Sequence, residues 1–472
     1  MPGLPQVSAK EAAMDSKVVR FGPEIEPLVR LLEETSRAKL LEEVAQRIRQ
    51  GTTYREILTA LLLAGVRNIQ PRPVGFKFHA VLVVHSAHLA SLNSPDADRW
   101  LPIFWALDYF KGSQARDVEE GDWTMAPVVE GKVPSAEKAR REFEAAMDAW
   151  DEERTDRAIT GLVRSAGAQE VFDLMCRYGA RDFRDIGHKA IYVSNSWRTL
   201  QTIGWHHAEP VLRSLAYALL QHRGENPSKG NAEADLPGRH NLKVLREIRE
   251  DWQRGLLQPA ASAELLAVLR QGSWKDASDL AVTLLNRGVS PKSLWDACFH
   301  HAAEMLMRIP GIITLHASTT INALHYAHQH TFRDETRRFL LLQALSFLPL
   351  FRIRGGISKG ILIDQFDPAE GHPGLEEVFA EVGHDRPAAV RLALAHLEKG
   401  GDPQAFIESA QRLIYLKGVD SHDYKFSSAI LEDCRHLSPP FRNRYLAAST
   451  AWLQGTRRAD SPIVARTREA LS

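Results

Sequence analysis

The sequence predicts an all-α protein, a large irregular α-α superhelical or toroidal assembly of two helical lobes. Three observations carry that expectation. Apolar residues recur at three- and four-residue spacing through most of the chain, the signature of one buried helix face rather than of alternating strand faces. Glycine and proline fall where helices should stop, as at Gly51 and at Gly400 and Gly401 before Asp402 and Pro403. Helix pairs follow one another without a strict repeat of roughly twenty to fifty residues, so an irregular array fits better than a regular solenoid.

Residues 1–22 read as a poorly ordered tail. LVRLLEETSRAKLLEEVAQRI (28–48) and TYREILTALLLAGV (53–66) read as the first helices. FKFHAVLVVHSAHLA alternates poorly and is read as a buried helix despite its valines. RGENPSKGNAEADLPGRH (223–240) is rich in Gly, Pro, Asn and charge, so it reads as a linker loop. It divides an N-terminal helical lobe, 23–222, from a C-terminal lobe, 241–472, packed with the first as one unit. SAELLAVLRQ (262–271), ASDLAVTLLNRGV (277–289) and RPAAVRLALAHLEKG (386–400) continue the helical pattern. RIRGGISKGILIDQFDPAEGHPG (352–374) is a second irregular zone.

With 472 residues the chain can bury a large core. Lys plus Arg and Asp plus Glu both number 59 and no run of like charge stands out, which argues against a nucleic-acid partner. The first residues lack the apolar stretch of a secretory signal. The greasiest segment, FLLLQALSFLPLF (339–351), is too short to span a bilayer, so a cytoplasmic protein without a membrane role is expected. Cys176, Cys298 and Cys434 lie far apart and form no CxxC pair. Any metal must then be held by carboxylate or by some of the nineteen histidines.

GISKG (356–360) matches the GxSxG pattern around Ser358, but that motif needs a strand before it, and the preceding residues read as helix. No HExxH, Walker A or GxGxxG occurs. Histidines gather at His79, His85 and His88; at His188; at His206 and His207; at His300 and His301; at His316, His325, His328 and His330; and at His422. At about 100° per residue, one helix face cannot present His79, His85 and His88 together. In GIITLHASTTINALHYAHQH a cap at Ser318 or Thr319 would leave His316 on the loop before a helix, free to aim inward. His316 is thus the strongest candidate ligand and His325 the second, with His328 and His330 facing outward. HHAAE sets Glu304 on one face with His300 and His301, the opposite polarity to the Glu-x-x-His of di-iron bundles. HDYK (422–425) reads first as a helix start with a solvated Lys; near a metal it would instead supply His422 as a ligand, Asp423 as its orienting carboxylate and Lys425 as an oxyanion partner. Trp100, Trp105, Tyr109, Phe110, Trp197 and Trp205 could wall a pocket for a flat molecule, or simply pack helices.

The segments GVRNIQPRP and GFKFHAVLVVHSAHLAS, then GHKAIYVSNSWRTLQTIGWHHAEPVLRSL, LHASTTINALHYA and HDYKFSSAILED resemble the questin-oxidase-like family across about 65–435. The resemblance implies a mainly helical oxidoreductase. The family's named activity is oxygen insertion into a polycyclic aromatic ketone, with a reduced nicotinamide such as NADPH as electron donor. Carried over motif by motif, it points to His79, His188, His207, His316 and His422, with His206 competing with His207, and with Gly187 and Lys189 framing His188.

The expectation is therefore a non-haem, iron-dependent oxygenase acting on a small organic substrate in a His-lined cavity, with Lys425 and Asp423 assisting. Two other readings remain open: a metal-free helical-repeat interaction protein, and a His-metal hydrolase with Glu304 or Asp423 as general base. Oligomeric state is not legible.

Overall fold

The computed structural model describes residues 17–220, 224–358 and 360–472. Among them the chain forms twenty-three α-helices and short 3-10 turns, and the only β pairing is an isolated bridge between Leu256 and Val289. The fold is all-α, as the apolar spacing predicts. No helix among the described residues is long and apolar enough to cross a membrane.

Local chemistry sets the helix bounds. Thr53 and Glu56 form a capping box that starts the helix Tyr54–Asn68, with the Thr53 backbone N–H donating to Glu56 Oε2 at 2.7 Å. The stretch expected as one helix over 28–48 is two, Glu26–Glu34 and Leu40–Arg49. Between them Ser36 to Lys39 are exposed, and the Lys39 N–H closes a turn on Ser36 O, so each apolar face reaches the core at its own angle. FKFHAVLVVHSAHLA is mostly buried but is not one helix: a 3-10 turn Phe76–Phe78 leads into His79–Leu82 and Val84–Leu92, which break at the buried Val83, and Phe76 is exposed.

One helix organises the interior. Ile312–His330 is buried along most of its length. It packs against Pro291–Arg308, Asp334–Arg354, His188–Ile203 and Ser421–Asp433. The last two also touch Val84–Leu92, so segments far apart in sequence meet around one end of the central helix. A single apolar cluster runs from Ile25 to Leu453 and draws on both halves of the chain. The C-terminal helix Pro462–Leu471 returns to Leu40–Arg49 and Leu101–Glu119, where Arg466 meets Glu42 at 3.0 Å and Arg468 meets Asp98 at 2.8 Å.

Of the expected tail, residues 1–16 lie outside the described residues, while the Val19 N–H donates to Met125 O at 2.8 Å. Within 223–240, residues from Leu236 onward begin the helix Leu236–Val244. Of the expected irregular zone at 352–374, residues 352–354 end the helix Asp334–Arg354, and the described residues from there to Leu375 hold no helix.

Lys189, which the sequence left without a role, forms a fully buried ion pair with Asp182, Nζ lying 2.9 Å from both carboxylate oxygens. Removing one partner of such a pair strands the other charge in the core. Lys189→Met should lower unfolding free energy by about 3–5 kcal/mol, read as a shift in the urea midpoint; an unchanged midpoint would contradict this account.

Candidate metal centre

Four imidazoles from four distant segments converge beside the central helix. His79 and His188 each open a helix, His422 is the second residue of Ser421–Asp433, and His316 is the fifth of Ile312–His330. His316 therefore does not sit on a loop before a helix starting at ASTT. The helix begins at Ile312, one residue past Gly311, because Thr314 Oγ1 accepts the Gly311 N–H at 3.1 Å and supplies the cap within the first turn.

The approach to His188 is unusual. Asp185, Ile186 and Gly187 all hold positive φ, at 57°, 47° and 79°. Such a conformation costs about 1–2 kcal/mol for an L residue and is an outlier for β-branched isoleucine. Backbone strain of this kind persists where surrounding structure enforces it, and it concentrates at functional sites. Here it aims the Asp185 carbonyl at His188 Nδ1, 2.6 Å away. At Gly187 a Cβ would come 2.0 Å from Thr320 Oγ1, so the turn and the central helix can meet only through glycine.

The ring nitrogens face one another. His188 Nε2 lies 2.9 Å from His79 Nε2 and 3.0 Å from His316 Nε2. One ligand atom each from His79, His316 and His422 lie within 4.8 Å of one another. Ring centroids of His422 stand 4.6 Å from His79 and 5.2 Å from His316.

Hydrogen bonding fixes the tautomers. A backbone carbonyl can only accept, so His188 Nδ1–H donates to Asp185 O, and His316 Nδ1–H donates to Ile312 O at 2.6 Å. His422 Nδ1 lies 2.5 Å from Asp420 Oδ1. Burial pushes the Asp420 carboxyl up, but the His422 ring and N–H outweigh it and hold it below the ordinary range, so it accepts as a carboxylate. In their neutral form His188 and His316 therefore present Nε2 as a bare lone pair. His79 Nε2–H can donate to His188, yet the His188 and His316 lone pairs still oppose each other at 3.0 Å, and His422 Nε2 is buried without a partner among the described residues.

Protonation does not relieve this opposition. Burial first, then the Lys425 charge, pushes His188 down to about 3. Burial and the neighbouring imidazoles and Lys425 hold His79 and His316 well below the usual histidine range. A metal cation relieves it directly. With metal–nitrogen bonds of about 2.1 Å, neighbouring ligand nitrogens stand about 3.0 Å apart at right angles and about 3.4 Å apart in a tetrahedron. The observed 2.9 and 3.0 Å spacings fit the former. Each Nδ1–H on carbonyl or carboxylate is the outer support that metal-bound imidazoles use.

Lys425, one turn beyond His422, completes the group. It is 3% exposed, its Nζ has no hydrogen-bond partner among the described residues, and burial lowers it to about 7 against a partial counterpull from Asp420. Behind this helix, Trp105 stacks on Tyr424 at 4.1 Å and Tyr109 OH reaches Ser421 Oγ at 3.4 Å, so those aromatics fix the helix rather than wall a pocket. Gly75, at φ 124°, covers the other side: a Cβ there would lie 3.3 Å from His188 Nε2.

The structure does not bring His207 or Asp423 to this group. His207 stands beyond the far end of the helix His188–Ile203, about 24 Å long at 1.5 Å per residue. There it packs on His206, with ring centroids 3.9 Å apart, and burial lowers it to about 4. Asp423 is turned about 100° from His422. It closes a capping box, accepting the N–H groups of Val419 at 3.0 Å and Asp420 at 3.2 Å. Asp420 takes the orienting role instead, and Asp185 and Ile312 act through carbonyls that side-chain chemistry does not reveal.

Other expectations resolve as packing. His325, about 180° from His316 on the helix, lies among Trp295, Phe299 and His436. His328 is half-buried, 3.0 Å from Arg337 O, and does not face outward; His330 is exposed. Glu304 is locked by Arg270, Arg308 and the Ile363 N–H; burial pushes its carboxyl up, but His301 and Arg270 outweigh it and hold it at about 2. Ser358 is exposed and follows a helix, without the strand its motif needs.

Comparisons with family models, with curated proteins and with solved structures found no match for this chain.

Gly187→Ala should destabilise the protein by more than about 1 kcal/mol, the left-handed penalty alone, and displace His188. Thermal unfolding with a histidine-resolved NMR spectrum checks both; a stable variant with an unmoved His188 resonance would refute the stated role of Gly187.

Proposed function

We propose that this protein is a metal-dependent oxidoreductase in which His79, His188, His316 and His422 hold one transition-metal ion. The observation that carries this reading is the pair of opposed Nε2 lone pairs, His188 against His316, each fixed by a carbonyl on its other nitrogen. A metal-free interaction protein has no use for buried groups that repel one another. A hydrolase based on Glu304 or Asp423 is disfavoured, because the first is committed to Arg270 and the second to a helix cap.

Iron is the ion we propose. Imidazole ligation that leaves coordination positions open suits non-haem iron oxygenases, and the resemblance to the questin-oxidase-like family points the same way. Bound there, iron would activate dioxygen. The chain's own residues define the rest. Four neutral imidazoles cancel none of the ion's charge, and Lys425 Nζ adds a titratable cation beside them. An acidic substrate oxygen, phenolate or enolate, complements that field, and Lys425 can hold or release the proton at Nζ. The three cysteines are buried and unpaired, in keeping with a reducing, cytoplasmic setting.

Elemental analysis after anaerobic loading with Fe(II) should find about one ion per chain, lost in His316→Ala and retained in His207→Ala. The loaded protein should consume dioxygen when supplied with a reductant. No stoichiometric metal, or equal metal in both variants, would sink the proposal.

Asp420→Asn keeps a good helix cap but weakens the acceptor for His422 Nδ1–H, so metal affinity should fall about 10–100-fold. Asp423→Ala should leave affinity unchanged and cost about 1 kcal/mol of stability. Chelator competition and chemical unfolding on both proteins separate these roles.

A further inference from the structure

Away from the histidines, a cavity of about 390 Å³ is bordered by the helices Ala168–Gly179 and Leu236–Val244 and the turn around Pro227 to Lys229. Its wall carries four cations, Arg177, Arg181, Lys229 and Arg239, against the carboxylates of Asp148 and Asp235. Asp235 is already taken by Arg184, whose Nη1 lies 2.6 Å from Oδ1 and whose Nη2 donates to Oδ2 at 2.8 Å. Asp148 Oδ1 stands 3.6 Å from Arg181 Nη1. Positive charge is thus in excess by more than one unit.

Arg181 is the informative residue. Its Nη1 donates to Met147 O at 3.0 Å, and its guanidinium lies over the Tyr178 ring at 5.1 Å. Its Nε and Nη2 are buried and meet no acceptor among the described residues. Those two N–H groups form the edge with which a guanidinium grips two oxygens at once. Elsewhere in this fold the same edge is filled: Arg213 holds Asp156 through Nε and Nη2 at 2.8 and 2.9 Å, and Arg37 holds Asp108 at 2.9 and 2.6 Å. Leaving two buried charged donors unmet is costly. Arg181 lines the cavity, and an acceptor there reaches these two closed-off groups when the guanidinium turns toward it.

We propose that this cavity binds a phosphorylated small molecule, its phosphate met by Arg177, Lys229 and Arg239 and by the Arg181 guanidinium, whose Nε–Nη2 edge turns into the cavity on binding. A phosphate monoester carries close to two negative charges and three acceptor oxygens, which answers both the charge excess and the unmet donors. The volume exceeds the roughly 300 Å³ at which pockets for small organic ligands begin, and Leu242 and Phe339 give the organic part an apolar wall. No residue of the cavity belongs to the histidine group, so the site stands or falls independently of the metal.

Isothermal titration of the full chain at low ionic strength with ribose 5-phosphate, adenosine 5′-monophosphate and inorganic phosphate tests this, with ribose and adenosine as uncharged controls. The phosphate esters should bind saturably, more weakly as salt rises. Affinity should fall about tenfold or more in Arg181→Lys, which keeps the charge and loses the fork, and in the surface variant Lys229→Ala/Arg239→Ala should that protein fail to fold. His316→Ala should bind unchanged. Inorganic phosphate binding as tightly as the esters would assign the same site to the free anion. No saturable binding of any phosphate probe, adenosine binding as well as its monophosphate, or undiminished affinity in the folded Arg181→Lys protein would overturn the proposal.

Discussion

The contact on which the rest turns is the one that should repel. His188 and His316 present bare ring nitrogens to each other across 3.0 Å, and neither can turn away. Asp185 O holds one ring by Nδ1, Ile312 O holds the other, and both carbonyls are themselves fixed by helix starts. Burial and Lys425 then deny both rings the proton that would turn repulsion into a hydrogen bond. Neutral imidazole is the ligating form, so the forces that keep these rings unprotonated also prepare them for a cation.

The fold can be read as the apparatus that imposes this contact. His79 and His188 are 109 positions apart, and His188 and His316 are 128 apart, so no local motif could bring them together. The central helix Ile312–His330 does so by touching the helices of His188 and His422 along one side. Its other side takes aromatic packing through His325, Trp295 and Phe299. Strain at Asp185 and Ile186 and the buried Lys189–Asp182 pair flank His188 directly. Local instability is concentrated where position matters, and the extended apolar cluster from Ile25 to Leu453 offsets it.

How much of this was legible follows from what kind of signal each feature leaves. The all-α architecture was, because helical periodicity is a property of each segment taken alone. His79, His188, His316 and His422 were reachable, since the family resemblance named each and a histidine amid core residues calls for a partner. His207 was not separable from them: GWHH offers the same chemistry as GHKA, and only the length of the intervening helix removes it. The exchange of Asp420 for Asp423 had a readable signal in the D-x-x-D spacing of a capping box, which commits the second aspartate to the helix start. The start of the His316 helix was hidden because Thr314 caps from inside the first turn. The left-handed run at 185–187 leaves almost no trace, because isoleucine is the last residue that backbone preference would place there.

That run also explains why the neighbouring segment deserves two readings at once. Beyond Arg181, whose Nε and Nη2 are unmet, the charged groups of the stretch up to Lys189 are largely committed. Arg181 faces the basic cavity, Asp182 pairs with Lys189, Arg184 holds Asp235, and the Asp185 carbonyl fixes His188. A ligand drawn to Arg181 would act on the first residue of a nine-residue stretch whose eighth is in the histidine group. Because Asp182 is fully buried and held on both oxygens by Lys189, the two ends of the turn that carries His188 stay joined unless an ion pair in the core breaks. Any coupling between the two sites would pass through this staple, which joins the neighbour of Arg181 to the neighbour of His188.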